Sequence, residues 1–590
     1  MLGKRNPQAT LFDGDLVYRS HVGENTFYAY LGAHRHELFR DEEFAELYCA
    51  NNGRPSVAPS LLCTALVLQA YDRCSDQEAA ERAAYDQRWK VALGTTEFER
   101  PFVKSTLQLF RAQVLTHEKG RLPFEASIAA AKKVGRLKAD GKIRAALDTT
   151  AILGRGAVKD TYNLIGDGIL GVMRLLARHT GKSVERWAQE RDLSPYTGSS
   201  LKGEMAIDWD DKEARRKLLE QEVADARKVL KLARQARSRW SANCKQRTRL
   251  ERVIGVLDQI LLDDVEEDDQ GRLQIHQGTS GDRICSVHDP EMRHGRKSAK
   301  VRFDGHKLAV GVEVESQVIA AVDVMAGSAK DDEGSLELAQ QVEANTGLEL
   351  EAALGDCAYG TGPNRERFAD AGMTLLAKEP ARPETGFFNK DEFDIDLQAM
   401  SCRCPAGEVT TTLVSAGSMV GKNGERLQLK AFQFAPGQCA SCPLRDRCFK
   451  GNHAGRLVRL NPYEALHQAA RQWQHGEGFA VFREQRQVVE HRIARMVQLG
   501  VRQARYFGRA KTLFQALMVA TVANLTLVAA HGLVASDTPL SITGLLGATG
   551  AFATVALALL SSHRPPEGLP NADRLSSVAN FKVAGCRPGF

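Results

Sequence analysis

The feature that most constrains the fold is the spacing of its strand-like runs. Lys142-Ile-Arg-Ala-Ala-Leu147 is the first of them, a short strand that delivers Asp148-Thr149-Thr150 at its C-terminal end. The strand signal then disappears for more than a hundred residues. In its place residues 210–262 carry Leu, Lys, Arg and Glu at helical spacing, until the acidic run Asp263 to Asp269 breaks the pattern. Strands resume at Lys307–Val314 and Gln317–Val324, and the intervening Glu315-Ser316 is hairpin spacing, which predicts an antiparallel pair. A helix over Gly334–Asn345 follows, then a strand over Leu348–Leu354 that again ends in an acid, Gly355-Asp356. A helix over Asn364–Ala371 and a strand over Met373–Ala377 complete the series.

Strand, hairpin, helix, strand, helix, strand is the order of a ribonuclease H-like domain, here with a large insertion after its first strand. At 590 residues the chain is expected to hold further units, giving a multidomain protein of the α+β or α/β class. The expected divisions are a helical N-terminal domain over 1–125, the sheet domain over 140–165 and 300–380, a helical insertion over 170–285, a cysteine-rich insertion over 381–460, C-terminal helices over 461–535 and an apolar helix and tail over 536–590. In the first of these, Pro59 suits the first turn of a helix running to Tyr71. Ser75 with Glu78 three residues later is a capping-box signature for the next helix.

Composition excludes several classes. Apolar residues at 43 % and charged residues at 26 % belong to an ordinary soluble chain. A net charge of +6 permits a polyanionic partner without requiring one. No apolar core of signal-peptide length follows Lys4 and Arg5, and scattered cysteines do not make a secreted disulfide framework, so a reducing, cytoplasmic location is expected. Residues 513–536 and 538–562 lack Asp, Glu, Lys and Arg and are long enough to span a bilayer. Gln515, Asn524 and His531 in the first, and Pro539 with three glycines in the second, favour buried helices over membrane spans.

Asp148 and Asp356 end strands that are expected to lie side by side. A third acid, Glu490, sits in a helical stretch from Phe482 to Arg505, on one face with Arg483 and Arg486 at spacings of three and four. Acids delivered by separate elements suit hard Mg²⁺, and a pair of such ions suits phosphodiester cleavage, which needs an in-line nucleophile and a stabilised leaving oxygen.

These segments resemble a known family. Leu147-Asp148-Thr149-Thr150, Leu354-Gly-Asp356-Cys-Ala-Tyr359-Gly360 and Arg483-Glu-Gln-Arg486-Gln-Val-Val-Glu490-His491 resemble the three acidic motifs of insertion-sequence DDE transposases. Arg505-Tyr506-Phe507-Gly508 and Asn524-Leu525 continue the likeness. Gly53-Arg54-Pro55, Ser75-Asp76 and Tyr85-Asp86-Gln-Arg88-Trp89 are similar to the region preceding that domain in the 1182 group. The sequence departs from related transposases in carrying Arg483 in place of a Tyr and Val497 in place of a Lys, with Phe482 and Arg495 as the nearest substitutes. The resemblance implies that Asp148, Asp356 and Glu490 bind two Mg²⁺, with Mn²⁺ as a substitute, and that Arg486 and Arg483 hold DNA phosphate. It further implies double-stranded DNA partners, both terminal inverted repeats, bound by the helical domain over 1–125, and target DNA, a homodimer on that DNA, and a nucleoid location. The rival is a catalytically inactive or domesticated relative that only binds DNA.

Five cysteines crowd between Cys402 and Cys448. A tetrahedral Zn²⁺ needs four thiolates, and Cys404, Cys439, Cys442 and Cys448 are the expected ligands, with Cys402 as the spare. Leu444-Arg-Asp-Arg447 and Lys450 beside them offer charge to a phosphate backbone.

Overall fold

In a computed structural model, which describes residues 1–536 except 7, 9, 10, 51, 242, 243, 279, 299, 383, 421–425 and 450–454, the chain is organised around a mixed six-stranded sheet. The apolar stretch 538–562, the tail beyond 536 and Lys450 lie outside the described residues. The strands are β1 (Lys142–Leu153), β2 (Arg293–Arg296), β3 (Arg302–Glu313), β4 (Ile319–Ala326), β5 (Glu349–Gly355) and β6 (Leu375–Ala377). β1 is central, antiparallel to β3 on one side and parallel to β5 on the other, and β6 continues parallel beyond β5. The far edge of β3 pairs antiparallel with β4 and, at its start, with β2. Leu308-Ala-Val-Gly-Val312 in β3 is a nearly continuous apolar run, as expected of a strand covered on both faces.

Two differences from the sequence expectation matter. β1 does not stop before Asp148; it continues to Leu153 because β3 pairs with it from Ala145 opposite Glu313 to Leu153 opposite Gly305. Asp148 therefore lies within the strand, opposite Val310. The short edge strand β2 was not expected, and it exists because β3 extends beyond the reach of β4. The β3–β4 hairpin does form, with Gln317 at φ +61° and the Glu313 carboxylate accepting from the N–H groups of Glu315 (3.1 Å) and Ser316 (2.6 Å).

Before the sheet, α1 (Pro59–Asp72) and α2 (Asp76–Tyr85) make the expected hairpin. Ser75 Oγ accepts from Glu78 N–H at 3.2 Å, and Glu78 Oε2 accepts from Ser75 N–H at 2.7 Å. After β1 comes α3 (Thr161–His179), and the long helical stretch is two helices, α4 (Lys212–Ser238) and α5 (Lys245–Asp264). These three pack on one another around Ile165, Ile169, Val223, Leu230 and Leu257. The acidic run becomes a small hairpin, Val265–Glu267 with Leu273–Ile275.

After β4 come α6 (Ser335–Thr346), α7 (Gly362–Asp370), α8 (Glu464–Gln474), α9 (Gly478–Gln498) and α10 (Arg509–Ser536). α9 ends before the expected Arg505, where Gly500 turns the chain at φ +94°. One apolar cluster joins the N-terminal helices, the sheet, α9 and α10, from Phe27 to Ala529. Within α10, the segment Arg509–His531 is long and apolar enough to cross a membrane, yet 78 % of its most apolar window is buried. Asn524 is fully buried there and closes two bonds with β4: its Oδ1 accepts from Ile319 N–H and its Nδ2 donates to Ile319 O, both at 2.9 Å.

Candidate active site

The last β1–β5 pair is Ala146 with Leu354, and Asp148 and Asp356 each lie two residues beyond it. Parallel strands run about 4.8 Å apart, so this register keeps the two acids neighbours. Asp148 Oδ1 accepts from Thr149 N–H at 2.7 Å, and Asp356 Oδ1 accepts from Ala358 N–H at 2.8 Å as the cap of the short turn Cys357–Tyr359. α9 lies across β1, β3 and β5, burying Phe482, Val489, Ile493 and Met496. Glu490 on this helix is half-exposed, and Arg486, one turn earlier, donates to its Oε1 at 2.5 Å.

The electrostatics tie these groups together. Burial pushes the Asp148 carboxyl up to about 6; the charges of Asp356 and Glu490 act in the same direction, while Thr149 N–H and Arg486 oppose them. A further acid stands alongside: Asp331 Oδ1 accepts from Thr149 Oγ1 at 2.5 Å and from the buried Lys307 Nζ at 2.9 Å. Arg483 is exposed, with its guanidinium 5.9 Å from the Phe479 ring centroid, and no contact links it to the acids. Phe482 is buried against Trp473 and Phe479 (centroids 5.0 and 5.6 Å), so it is a core residue and does not reach outward. Arg495 donates to Gln498 Oε1 at 3.3 Å.

The cysteine-rich segment folds into two three-stranded sheets. Cys402 lies in the first, between Ile395 and Thr410, and is fully buried, which pushes its thiol up to about 11. Cys404, Cys439, Cys442 and Cys448 line one cavity together with Phe434 and Arg456. Burial raises the Cys448 thiol, and Cys439, Cys404 and Cys442 add to this against Arg456. Among the described residues, no three His, Cys, Asp or Glu side chains form a ready-made metal site, at the cysteines or at the acids.

Residues 403–529 match the family described as Transposase DDE domain, and residues 17–113 match the Transposase domain (DUF772). The two matches support a DDE-type transposase. No curated protein and no solved structure matches the chain. The transposase DDE match spans the four cavity cysteines and Glu490, whereas Asp148 and Asp356 precede it. The other match lies over the helices before the sheet, including α1 and α2.

Sequence reasoning missed Asp331, Lys307 and the hydroxyl of Tyr359. Lys307 carried a signal, because a lysine opening an apolar strand is buried only with a partner. Asp331 carried none, since its place depends on how β1 and β3 meet; Tyr359 stands in the second acidic motif, and only the burial of its hydroxyl depends on the packing of other elements.

Proposed function

We propose that the chain is an insertion-sequence transposase of the 1182 group, with a ribonuclease H-like catalytic domain, that binds terminal inverted repeats and carries out DNA cleavage and strand transfer. The strand order supports the fold reading: fourth, third, first, fifth, sixth, with the short β2 added at the edge and the first strand parallel only to its fifth-strand neighbour. The observation that carries the functional reading is the register that makes Asp148 and Asp356 neighbours beneath the helix bearing Arg486 and Glu490.

Transposase DDE domains generally use a divalent metal, and the donor chemistry here fits one. Asp148, Asp356 and Glu490 are hard carboxylates, and the charge of Asp148, made unfavourable first by burial and then by Asp356 and Glu490, is one that a divalent cation would stabilise. These three would hold two Mg²⁺ or Mn²⁺. When bound, the ions supply activation of a water or a DNA 3′-hydroxyl and stabilisation of the leaving 3′-oxygen. Only Oε1 of Glu490 is paired with Arg486, which would leave Oε2 to ligate a metal and the remaining guanidinium N–H groups to meet a phosphate. Arg486 would hold that phosphate through charge-assisted hydrogen bonds. The buried β1–β5 core keeps the two aspartates in fixed register while DNA occupies the open side.

The four cavity cysteines fit Zn²⁺, since four thiols lining one cavity offer the soft donor set that a tetrahedral ion takes once they are deprotonated. The zinc would be structural. Double-stranded DNA is the substrate, and a homodimer paired on two element ends, at the nucleoid, completes the reading. Retention of all three acids argues against a decayed, binding-only relative.

The test is Asp148→Asn, Asp356→Asn and Glu490→Gln, each assayed on DNA carrying the element's ends with Mg²⁺ or Mn²⁺. Each is expected to lose cleavage and strand transfer by orders of magnitude while keeping its fold and repeat binding. Ca²⁺ should support binding with little chemistry. Glu484→Gln, exposed on the same helix, should behave as wild type. Full strand transfer by Glu490→Gln overturns the mechanism.

A further inference from the structure

Among the described residues the β1–β5 pairing ends at Ala146 with Leu354, so it does not reach the positions of Asp148 and Asp356. Beyond that end the two strands are tied by the loop between β4 and α6, through two consecutive aspartates. Asp331 holds the first acidic segment: its Oδ1 accepts from Thr149 Oγ1 at 2.5 Å, and Thr149 N–H donates to Asp148 Oδ1 at 2.7 Å. Asp332 holds the second: its Oδ2 accepts at 2.6 Å from Thr361 Oγ1, five residues after Asp356. At the start of α6 a buried pair of bonds enters the same turn. Ser335 Oγ donates to Asn364 Oδ1 at 3.0 Å, and Asn364 Nδ2 donates to Tyr359 O at 2.9 Å.

The loop is itself anchored to the sheet. Lys307 of β3, opposite Ala151 of β1 and only 7 % exposed, donates to Asp331 Oδ1 at 2.9 Å and to Ala329 O at 2.5 Å. A lysine is buried only with partners, and here the loop provides them. Thr361 stands at the N-cap of α7 without capping it, so its hydroxyl is committed to Asp332. Mg²⁺ demands near-ideal octahedral geometry, which fixes how far apart its carboxylates must stand. We infer that Asp331 and Asp332 are positioning residues, a clamp that sets the separation of the Asp148 and Asp356 carboxylates for a divalent cation by holding Thr149 and Thr361. The inference rests on the active-site reading proposed above.

The experiment titrates Mn²⁺ into full-length protein, followed by electron paramagnetic resonance at a temperature where the variants are folded. Wild type is compared with Thr361→Val and Thr361→Ser, and with Thr149→Val and Thr149→Ser. Valine keeps the branched shape and removes the hydroxyl, whereas serine keeps the hydroxyl. Each valine variant is expected to bind Mn²⁺ roughly 10-fold more weakly or worse, the usual consequence of losing an orienting partner, with cleavage requiring correspondingly more metal. Each serine variant should recover the affinity, and repeat binding should be unchanged throughout. The two positions cut opposite arms of the clamp, so either pair decides the matter if the other does not fold. Unchanged Mn²⁺ affinity in a folded valine variant, whatever its melting temperature, overturns the inference alone, because the bond would then serve stability only. A loss that serine does not recover overturns it as well. Wild-type protein with no Mn²⁺ binding sensitive to Asp356→Asn overturns the active-site reading, and this inference with it.

Discussion

Asp148 is a carboxyl held where its charge is unfavourable. Its folded-state pKa stands near 6 against the ordinary 3.8, so between those values the native protein keeps a proton that the unfolded chain has released. Stability from this group is then full below about pH 4 and is lost as the pH rises through about 6. The loss is on the order of 2–3 kcal/mol at neutral pH, before solvent screening reduces it. Asp148→Asn removes the charge but keeps the shape. Metal-free Asp148→Asn is therefore expected to melt higher than wild type at pH 8 and equally with it near pH 4, by calorimetry across that range. Mg²⁺ should raise the wild-type melting temperature and leave that of the variant nearly unmoved, since a ligand stabilises only the state that binds it. A variant no more stable than wild type at pH 8 would show that the acidic site carries no such penalty.

At the scale of elements, the cysteine-rich sheets are the part least able to hold themselves together. Among the described residues their apolar cluster contains six buried side chains, Phe388, Phe393, Cys402, Phe432, Phe434 and Val458, too few for an independent core. If zinc supplies the missing free energy, purified protein should contain about one zinc per chain by elemental analysis. Cys439→Ser or Cys442→Ser should lose it together with solubility, whereas Cys402→Ser should retain it. A metal-free wild type with this segment fully folded would remove the need for the ion. Legibility also divides at this scale. The capping box at Ser75, the β3–β4 hairpin and the strand before Asp356 were readable because their signals are local: a cap three residues long, a two-residue gap, an apolar run ending in Gly-Asp. The continuation of β1 past Asp148 was not, because an acid looks like a strand end until β3 is known to pair along it. Arg293–Arg296 was invisible for the same reason, since a charged four-residue strand with a glycine forms only on an edge offered by its neighbour. The acids of the proposed site were each legible as residues, while the place of Asp331 and the burial of the Tyr359 hydroxyl depend on side chains meeting across separate elements.

At the scale of the whole molecule, the N-terminal helices share a core with the sheet. The apolar cluster that holds Leu62, Leu66 and Phe110 also holds Leu147, Val310, Ile493 and Leu525. Polar ties cross the same boundary: Arg505 Nη2 donates to Cys74 O at 2.9 Å, Asn524 Nδ2 to Ser127 Oγ at 3.2 Å, and Arg111 stacks over Tyr506 at 5.6 Å. A fragment ending near residue 125 would expose this shared surface to water. Such a fragment is expected to lack a cooperative thermal transition and to aggregate, although the family match over 17–113 marks a recognisable segment. Recognition of DNA ends therefore has to be measured on the full chain, where affinity should fall steeply with salt as lysines and arginines release condensed counterions. The loop from Leu499 to Gly508 follows the Glu490 helix directly, and Ala504 N–H donates to Leu153 O at 2.9 Å on the strand that carries Asp148. The same loop lines a groove with Arg73 and Arg111 of the N-terminal helices, which ties those helices to the elements that carry Asp148 and Glu490. Circular dichroism of the fragment decides the point. A sharp, reversible melt with native tertiary signal would show that the helices fold independently of the sheet and would uncouple end binding from the catalytic register.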